Sequence, residues 1–251
     1  MKIIVKTFVA IILMTAMVFA VGCTPENDSL GADPYIISGT YNGRDYVDLG
    51  LPSGILWATC NVGTDTIERK GHYYAWGETQ PKDTLICDWN TYKHCIGSDT
   101  ALTKYCGDSL FGHNNYIDNL TILSMEDDVA WGSMHDTVWR MPTIEEWQEL
   151  YGNTTVKWII LHNVKGLLFI ATNGNGLFLP AAGYRGGDNS YDEGRYGDYW
   201  SSSLYEESPC YAWGISFRSD YFYQGGYSRS FGQSVRPVLQ CAVPRDTLNR
   251  R

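Results

Sequence analysis

The sequence lacks clusters of basic residues. Its 251 residues include 19 lysines and arginines but 28 aspartates and glutamates, which gives a formal net charge of −9. Nucleic-acid-binding proteins need a cationic surface, so we expect no nucleic-acid partner. The chain also lacks a phosphate-binding loop, a dinucleotide-binding fingerprint and a Gly-x-Ser-x-Gly motif. No nucleophile and base can be paired from its residues, which argues against an enzyme and predicts no cofactor.

Metal-binding spacings are also missing. None of the seven cysteines belongs to a Cys-x-x-Cys pair, and no histidine lies at zinc-finger spacing from such a pair, so structural zinc is not expected. The acidic residues Asp118, Asp127 and Asp128 could supply oxygen ligands to calcium. Negative charge at the first turn of a helix explains them more simply. The sequence therefore predicts no metal site.

The N-terminal residues have the pattern of an export signal. Lys2 and Lys6 precede an apolar run, 8–21, that is too short and too early for a membrane span. The run ends in Ala20-Val-Gly-Cys23, which resembles a bacterial lipobox. That resemblance implies cleavage before Cys23, acylation of Cys23 and a lipid anchor in the outer membrane. The acidic residues that follow resemble the tethers of surface-exported lipoproteins. An ordinary secretory signal cut nearby is the alternative.

Six cysteines remain once Cys23 is acylated. An oxidising compartment permits disulfides, although the sequence alone leaves their pairing open. Cys87, Cys95 and Cys106 lie in one loop-rich stretch. We therefore predict a local disulfide in that stretch.

The stretch 139–151 contains the clearest helix start in the chain. Thr143 can cap the helix, and Glu146 lies three residues later, which is the spacing of a capping box. Ile144, Trp147 and Leu150 recur at helical spacing and give one apolar face. We predict a core helix over 143–151. The structural motif comprises Trp139, Arg140, Pro142, Thr143, Glu146 and Trp147.

Most other regular segments have the pattern of short strands. The apolar runs 167–172 and 177–181 are joined by Asn173-Gly-Asn-Gly176, the strongest hairpin signal in the chain. Residues 78–121 show no sustained periodicity and predict a long ordered loop, and Ser124 predicts a short helix over 125–131. Further strands are predicted at 46–49, 55–60, 73–76, 199–203, 212–218, 221–223 and 235–239.

Aromatic and charged residues alternate near the C-terminus. Tyrosines recur there among serine, glycine and charged residues, which is the composition of a binding surface. One face of such a strand can join the core, whereas the other leaves tyrosines in solvent, where they suit stacking on sugar rings. An inert tyrosine-rich surface is the alternative. The predicted ligand-binding residues are Tyr205, Glu206, Tyr211, Trp213, Arg218, Asp220, Tyr221, Tyr223 and Tyr227.

Several ordered motifs resemble the Fibrobacter succinogenes major paralogous domain. They include Tyr46-Val-Asp-Leu-Gly-Leu-Pro-Ser-Gly54, Trp139-Arg-Met-Pro-Thr143 with Glu146-Trp147, Tyr199-Trp-Ser-Ser-Ser203 and Ser234-Val-Arg-Pro-Val238. The second motif is similar to a block of formylglycine-generating-enzyme domains, which have a C-type-lectin-like fold. The resemblance implies an α+β, C-type-lectin-like domain whose short core helices pack on mixed or antiparallel sheets with long loops. The implied organisation is a signal peptide (1–22), a flexible tether (23–40), the domain (41–241) and a tail (242–251).

The enzyme of that comparison is not implied. Formylglycine generation needs a redox-active cysteine pair in a basic C-terminal segment. Cys210 and Cys241 are far apart in sequence and lack that setting, so no catalytic residue is assigned.

A second resemblance concerns the C-terminal segment. C-type-lectin-like domains also serve as the variable proteins of bacterial diversity-generating retroelements, and residues 205–227 lie where those proteins vary. The resemblance implies that residues 205–227 form a ligand-facing surface. Together with the lipobox-like motif and the absence of a nucleophile and base, it leads us to predict a non-catalytic, cell-surface lipoprotein that recognises a glycan or protein through its Tyr- and Trp-rich C-terminal surface. Diversification of that segment is a further hypothesis. The alternative is a structural or adhesive envelope component without a discrete ligand site.

Overall fold

The computed structural model describes residues 37–134 and 139–239. The predicted signal peptide, Cys23, most of the 23–40 tether, Cys241 and the 242–251 tail lie outside the described residues. The first strand begins at Gly39, inside the predicted tether. Within the described part of the chain, no helix is both long and apolar enough to cross a membrane.

Strands dominate the architecture. They account for 39% of the structure and helices for 9%, in several antiparallel sheets with a half-barrel. The predicted α+β, C-type-lectin-like class is therefore wrong, and the fold is largely β. The prediction rested on the resemblance of short motifs, and it missed strands whose turns carry no clear sequence signal.

The strands, in chain order, have the following bounds. They are β1 (Gly39–Tyr41), β2 (Arg44–Val47), β3 (Leu56–Ala58), β4 (Trp139–Arg140), β5 (Thr154–Leu161), β6 (Val164–Ala171), β7 (Gly176–Pro180), β8 (Tyr184–Gly186), β9 (Asn189–Tyr191), β10 (Gly197–Leu204), β11 (Tyr211–Arg218), β12 (Tyr221–Ser228) and β13 (Val238–Leu239). The helices are α1 (Val129–Met134) and α2 (Ile144–Gly152), with 3₁₀ turns at His113–Asn115 and Met125–Asp127.

The strands form four sheets. The first has the order β1-β2-β3-β13-β4, so the C-terminal strand β13 lies between β3 and β4. The other three are β5-β6-β7, β10-β11-β12 and the hairpin β8-β9. All strand pairs in these sheets are antiparallel, which agrees with the short turns that join most of them.

One hairpin was predicted from its turn residues and another was not. The predicted β6–β7 hairpin is confirmed, with Gly174 at φ 85° and its N–H donating to the Ala171 carbonyl at 3.0 Å. The β5–β6 hairpin turns through His162 and Asn163, both at positive φ (46° and 68°), as a two-residue type I′ turn requires. His-Asn is a weaker turn signal than Asn-Gly, which is why β5 was not predicted.

The predicted core helix is confirmed as α2. The Thr143 side chain accepts from the Glu146 N–H at 3.4 Å, and the Glu146 carboxylate accepts from the Thr143 N–H at 2.8 Å, completing the capping box. Arg140 also donates to both Glu146 carboxylate oxygens, at 2.7 and 2.5 Å. This fork-shaped pair joins the end of β4 to the first turn of the helix.

α2 fills the main hydrophobic core between the sheets. Ile144, Trp147 and Leu150 are buried among side chains of β3, β6, β7, β10, β11 and β13. Trp147 has no exposed surface, and its ring centroid lies 4.7 Å from that of Trp57. Its indole N–H donates to the Trp200 carbonyl at 3.3 Å, so its one polar atom is satisfied as burial requires.

The long loop predicted over 78–121 is confirmed in outline and is held by a buried arginine. Arg229 has no exposed surface, and its guanidinium lies within 6 Å of the ring centroids of Trp76, Tyr92 and Tyr105. It donates to the carbonyls of Lys104, Tyr105 and Pro209 at 2.8–3.0 Å. One cation therefore joins the loop to the end of β12.

The predicted local disulfide does not form. Cys87, Cys95 and Cys106 are free, buried thiols, as are Cys60 and Cys210. The thiols of Cys95 and Cys106 donate instead to the carbonyls of Trp89 and Asp108, at 3.0 and 3.1 Å. Polar contacts of this kind, together with Arg229, stabilise the loop in place of a covalent bridge.

Candidate functional site

The sheet β10-β11-β12 carries most of the predicted ligand-binding residues and has two different faces. Alternation along each strand sends successive side chains to opposite faces. Ile215 and Phe217 of β11 point into the main core with Tyr199 of β10. We name this side the core face and the opposite side the tyrosine face.

The predicted ligand-binding residues do not form one surface. Trp213 and its cross-strand neighbours lie on the core face, where the Tyr205 ring packs edge-on against it at 4.7 Å. Tyr211 shares that face and is 40% exposed. Glu206 lies in the connection between β10 and β11, and Asp220 in the turn between β11 and β12. The residues on the tyrosine face are Arg218, Tyr221, Tyr223 and Tyr227.

One end of the tyrosine face is covered. Tyr227 packs against a second hydrophobic core that includes Trp76, Tyr105, Trp200 and Ala212. Its ring meets the Trp200 ring edge-on at 6.4 Å, and its burial raises its pKa above the ordinary tyrosine value. Tyr227 therefore belongs to the scaffold and not to the ligand surface predicted for it.

The other end of the tyrosine face is open. Tyr221 and Tyr223 are 42% and 48% exposed, and their rings are stacked with centroids 5.9 Å apart and planes 16° from parallel. Arg218 lies beside them, with its guanidinium 5.7 Å from the Tyr221 ring centroid and 5.6 Å from that of Tyr196. These residues present two aromatic surfaces and a cation to solvent.

Two neighbours hold Arg218 in place. The Tyr196 hydroxyl accepts a hydrogen bond from the Arg218 side chain at 2.9 Å. The Asp220 carboxylate forms an ion pair with it at 2.8 Å. Both partners leave part of the planar guanidinium available for a ligand oxygen. The fixed geometry lowers the entropy lost on binding.

A buried carboxyl lies beneath the open end. Asp198 of β10 pairs in register with Ser216, and its side chain is only 6% exposed. Burial raises the pKa of Asp198 to about 6, with the charge of Asp192 adding to the effect and Ser216 opposing it. Its Oδ2 has no hydrogen-bond partner among the described residues. Desolvation is the largest of the effects that raise the pKa of Tyr221, and the charge of Asp198 adds a small part.

Sequence reasoning missed Tyr196 and Asp198. Both precede the Tyr-Trp-Ser-Ser motif, outside the segment chosen for its tyrosine density. A signal was present for Asp198, because alternation from the inward-facing Tyr199 puts Asp198 on the opposite face. Tyr196 lies just before β10 and reaches Arg218 only through the fold, so no local pattern reveals it.

A separate cleft lies away from these residues. It has a volume of about 1100 Å³ and is lined by the 63–71 segment, the β5–β6 turn and the segment after β7. Charges of both signs line it, and Lys70 and Glu193 in its wall pair at 2.6 Å. None of the nine predicted ligand-binding residues lines this cleft.

The acidic residues considered for calcium have structural roles. The predicted helix over 125–131 is broken at Asp128, whose carboxylate accepts from the N–H groups of Ala130 and Met141, both at 2.8 Å. Asp127 instead pairs with the ammonium groups of Lys93 and Lys104, both at 2.7 Å. No group of His, Cys, Asp and Glu suited to a metal ion occurs among the described residues.

One comparison with known proteins gives a match. A family described as Domain of unknown function (DUF8237) matches residues 168–238, less than a third of the chain, from β6 to β13. The match includes the whole of the tyrosine face. No curated protein and no solved structure matches the chain. The resemblance to the Fibrobacter succinogenes major paralogous domain stays a prediction.

Proposed function

We propose that this chain is a non-catalytic binding module that recognises a glycan through the open end of its tyrosine face. The observation that carries the proposal is the pair Tyr221 and Tyr223, two nearly parallel rings that are almost half exposed. The exposed part of each ring is apolar surface that remains in contact with water. A sugar ring, with one apolar C–H face, fits such a platform and recovers that area.

The charged and polar neighbours favour the same class of ligand. Arg218 projects beside the rings and has donors for hydroxyl or carboxylate oxygens. Tyrosine combines a large contact area with little loss of conformational freedom on binding. The tyrosine hydroxyls can also donate to and accept from sugar hydroxyls.

The test is glycan binding by matched variants of the full chain. The double variant Tyr221→Ala/Tyr223→Ala is expected to lose at least about tenfold in affinity, because two large contact residues are removed. Tyr211→Ala is the control, since Tyr211 is similarly exposed but lies on the opposite face. Glycan binding that survives the double substitution contradicts the proposed site. Binding to proteins but to no glycan contradicts the proposed ligand class.

We also propose that the module is held at the outer membrane, on the cell surface, by a lipid on Cys23. Support comes from the lipobox-like Ala20-Val-Gly-Cys23 and the acidic residues that follow it. Substitution of Cys23 by Ser is expected to abolish incorporation of labelled fatty acid and to release the protein from the membrane fraction. Retention of the label in that variant contradicts the anchor.

A further inference from the structure

The β8–β9 hairpin carries a second stacked pair of tyrosines. Tyr184 of β8 pairs in register with Tyr191 of β9, and their ring centroids lie 5.2 Å apart with planes 22° from parallel. Phe231 packs against the Tyr184 ring at 5.5 Å, and Tyr191 is 42% exposed. The hairpin therefore presents an aromatic platform built like that of Tyr221 and Tyr223, outside the predicted ligand-binding residues.

The pairing of β8 with β10 puts this platform on the tyrosine face. Gly183, just before β8, forms a parallel bridge with Gly197 at the start of β10. Neighbouring side chains of parallel strands point to the same face, so Tyr184 shares the face of Asp198. The pKa of Tyr184 agrees with this position, because desolvation raises it and the charges of Asp192 and Asp198 add to the effect.

Tyr196 lies between the two stacked pairs. Its hydroxyl accepts from Arg218 on the tyrosine face, and the Arg195 guanidinium lies 5.4 Å from its ring centroid. Three strand spacings of about 4.8 Å, or about 14 Å in all, separate β12 from the β8 segment that pairs with β10. The aromatic surface is therefore a strip across the strands that is longer than one sugar ring. We name this set of residues the tyrosine strip: Tyr184, Tyr191, Tyr196, Tyr221 and Tyr223.

The two arginines beside Tyr196 each have a carboxylate partner. Arg195 pairs with Asp192 at 3.5 Å, and Arg218 pairs with Asp220 at 2.8 Å. The positive charges along the strip are thus matched by negative charges next to them. Attraction of a polyanionic chain needs an excess of positive charge, so this charge distribution favours an uncharged ligand.

We propose that the tyrosine strip binds an extended, uncharged oligosaccharide, which runs across the strands from β12 to the β8–β9 hairpin. This inference rests on the proposed glycan ligand and names its class. Successive sugar rings place their apolar faces on successive tyrosines, and their hydroxyls exchange hydrogen bonds with the phenol groups and with Arg218. Each further ring covers more apolar surface, so affinity increases with the number of sugars until the strip is filled.

Chain length is the first test, by calorimetry on the full chain. The probes are neutral oligosaccharides of glucose, N-acetylglucosamine, xylose or mannose, from disaccharide to hexasaccharide. A hexasaccharide that binds is expected to bind at least about tenfold more tightly than its disaccharide, because only the longer chain reaches both stacked pairs. Equal affinities overturn the strip but leave the site at Tyr221 and Tyr223 standing. Absence of binding by every glycan contradicts the proposed function as well.

Substitutions at Tyr191 test the far end of the strip. Tyr191→Ala is expected to remove the gain in affinity from disaccharide to hexasaccharide, whereas Tyr191→Phe keeps the ring and is expected to retain it. Tyr211→Ala is the control, since Tyr211 is similarly exposed on the opposite face. Unchanged urea midpoints show that the variants fold. A hexasaccharide affinity that Tyr191→Ala does not change overturns the proposal.

An anionic probe tests the ligand class. The hexasaccharide of galacturonic acid is expected to bind no more tightly than the best neutral hexasaccharide at low salt, because the strip has no excess of positive charge. Tighter binding of the anionic chain, weakened by added salt, overturns the assignment of an uncharged ligand.

Discussion

The helix α2 and the loop 78–121 are both anchored in the interior but are held by different interactions. α2 buries three apolar side chains and closes its first turn with a capping box. The loop has little regular structure and is joined to the rest of the protein by polar interactions. Chief among them are the hydrogen bonds from Arg229 to main-chain carbonyls and the ion pairs of Asp127 with two lysines. The helix is stabilised mainly by burial of apolar surface, and the loop by hydrogen bonds and ion pairs of buried polar groups.

This difference determines how well each region can be predicted from the sequence. The partners in the α2 capping box lie three residues apart, so they form a local pattern. Arg229 bonds to groups 124 and 137 residues away, so its role depends on the fold. A lone arginine after a strand gives no sign of whether it is buried or exposed. Four substitutions test this contrast.

Trp147→Ala is expected to have the largest effect on stability. Removing a fully buried indole from the main core should lower the free energy of unfolding by about 4 kcal/mol, because it loses apolar burial and leaves a cavity. Urea denaturation measures the change. Gln148→Ala, on the exposed side of the same helix, should change it by less than about 0.5 kcal/mol. Similar losses in both variants would contradict this account of α2.

Arg229→Met should cost about 3 kcal/mol, because several buried acceptors lose their donor. The loss of stability should be largest in the loop 78–121. Hydrogen exchange of amides in 78–121 is expected to speed up more than that of α2 amides. Arg195→Met is the control, since Arg195 is exposed. Equal acceleration in both regions would show that the loop is not a separately stabilised unit.

The contribution of Asp127 to the free energy of unfolding should depend on pH. Desolvation alone would raise its pKa, but hydrogen bonds from Lys104, Lys93 and Tyr105 outweigh it and lower the pKa from 3.8 to about 2. A lowered carboxyl pKa adds stability above the unfolded value, and this is lost as the pH falls from about 4 to about 2. The loss is about 2 kcal/mol.

Urea denaturation across that range measures the effect. Asp127→Asn should be less stable than the wild type at pH 6, and the difference should shrink towards pH 2. Asp220→Asn, at an exposed position, should follow the wild-type pH profile. A constant difference between wild type and Asp127→Asn at all pH values would argue against the ion pairs.

Thr143→Ala should have the smallest effect. Loss of the side-chain half of the capping box is expected to lower stability by about 1 kcal/mol. Thr143→Ser keeps the hydroxyl and should recover most of it, as measured by thermal unfolding. A loss of stability as large as that of Trp147→Ala would mean that the capping box stabilises more of the fold than the end of the helix.

Local patterns predicted α2, the β6–β7 hairpin and several strands, because their signals lie within a few residues. They did not predict the fold class, since β5 follows α2 directly and turns through His162 and Asn163. The surface of the candidate site was predicted in part. Tyr221 and Tyr223 are exposed as expected, whereas Tyr227 packs against Trp200 and a hydrophobic core that includes residues of distant segments. Alternation separates the two faces of a strand, but it does not say which part of a face another segment covers.

The position of β13 sets the order in which this chain can fold. Val238 pairs with both Trp57 and Arg140, so β13 joins β3 to β4. The two flanking strands remain unjoined in that sheet until residues near the end of the chain are available. Contacts between segments so far apart are slow to form. A chain that emerges N-terminus first, from a ribosome or through a membrane, therefore completes its first sheet last.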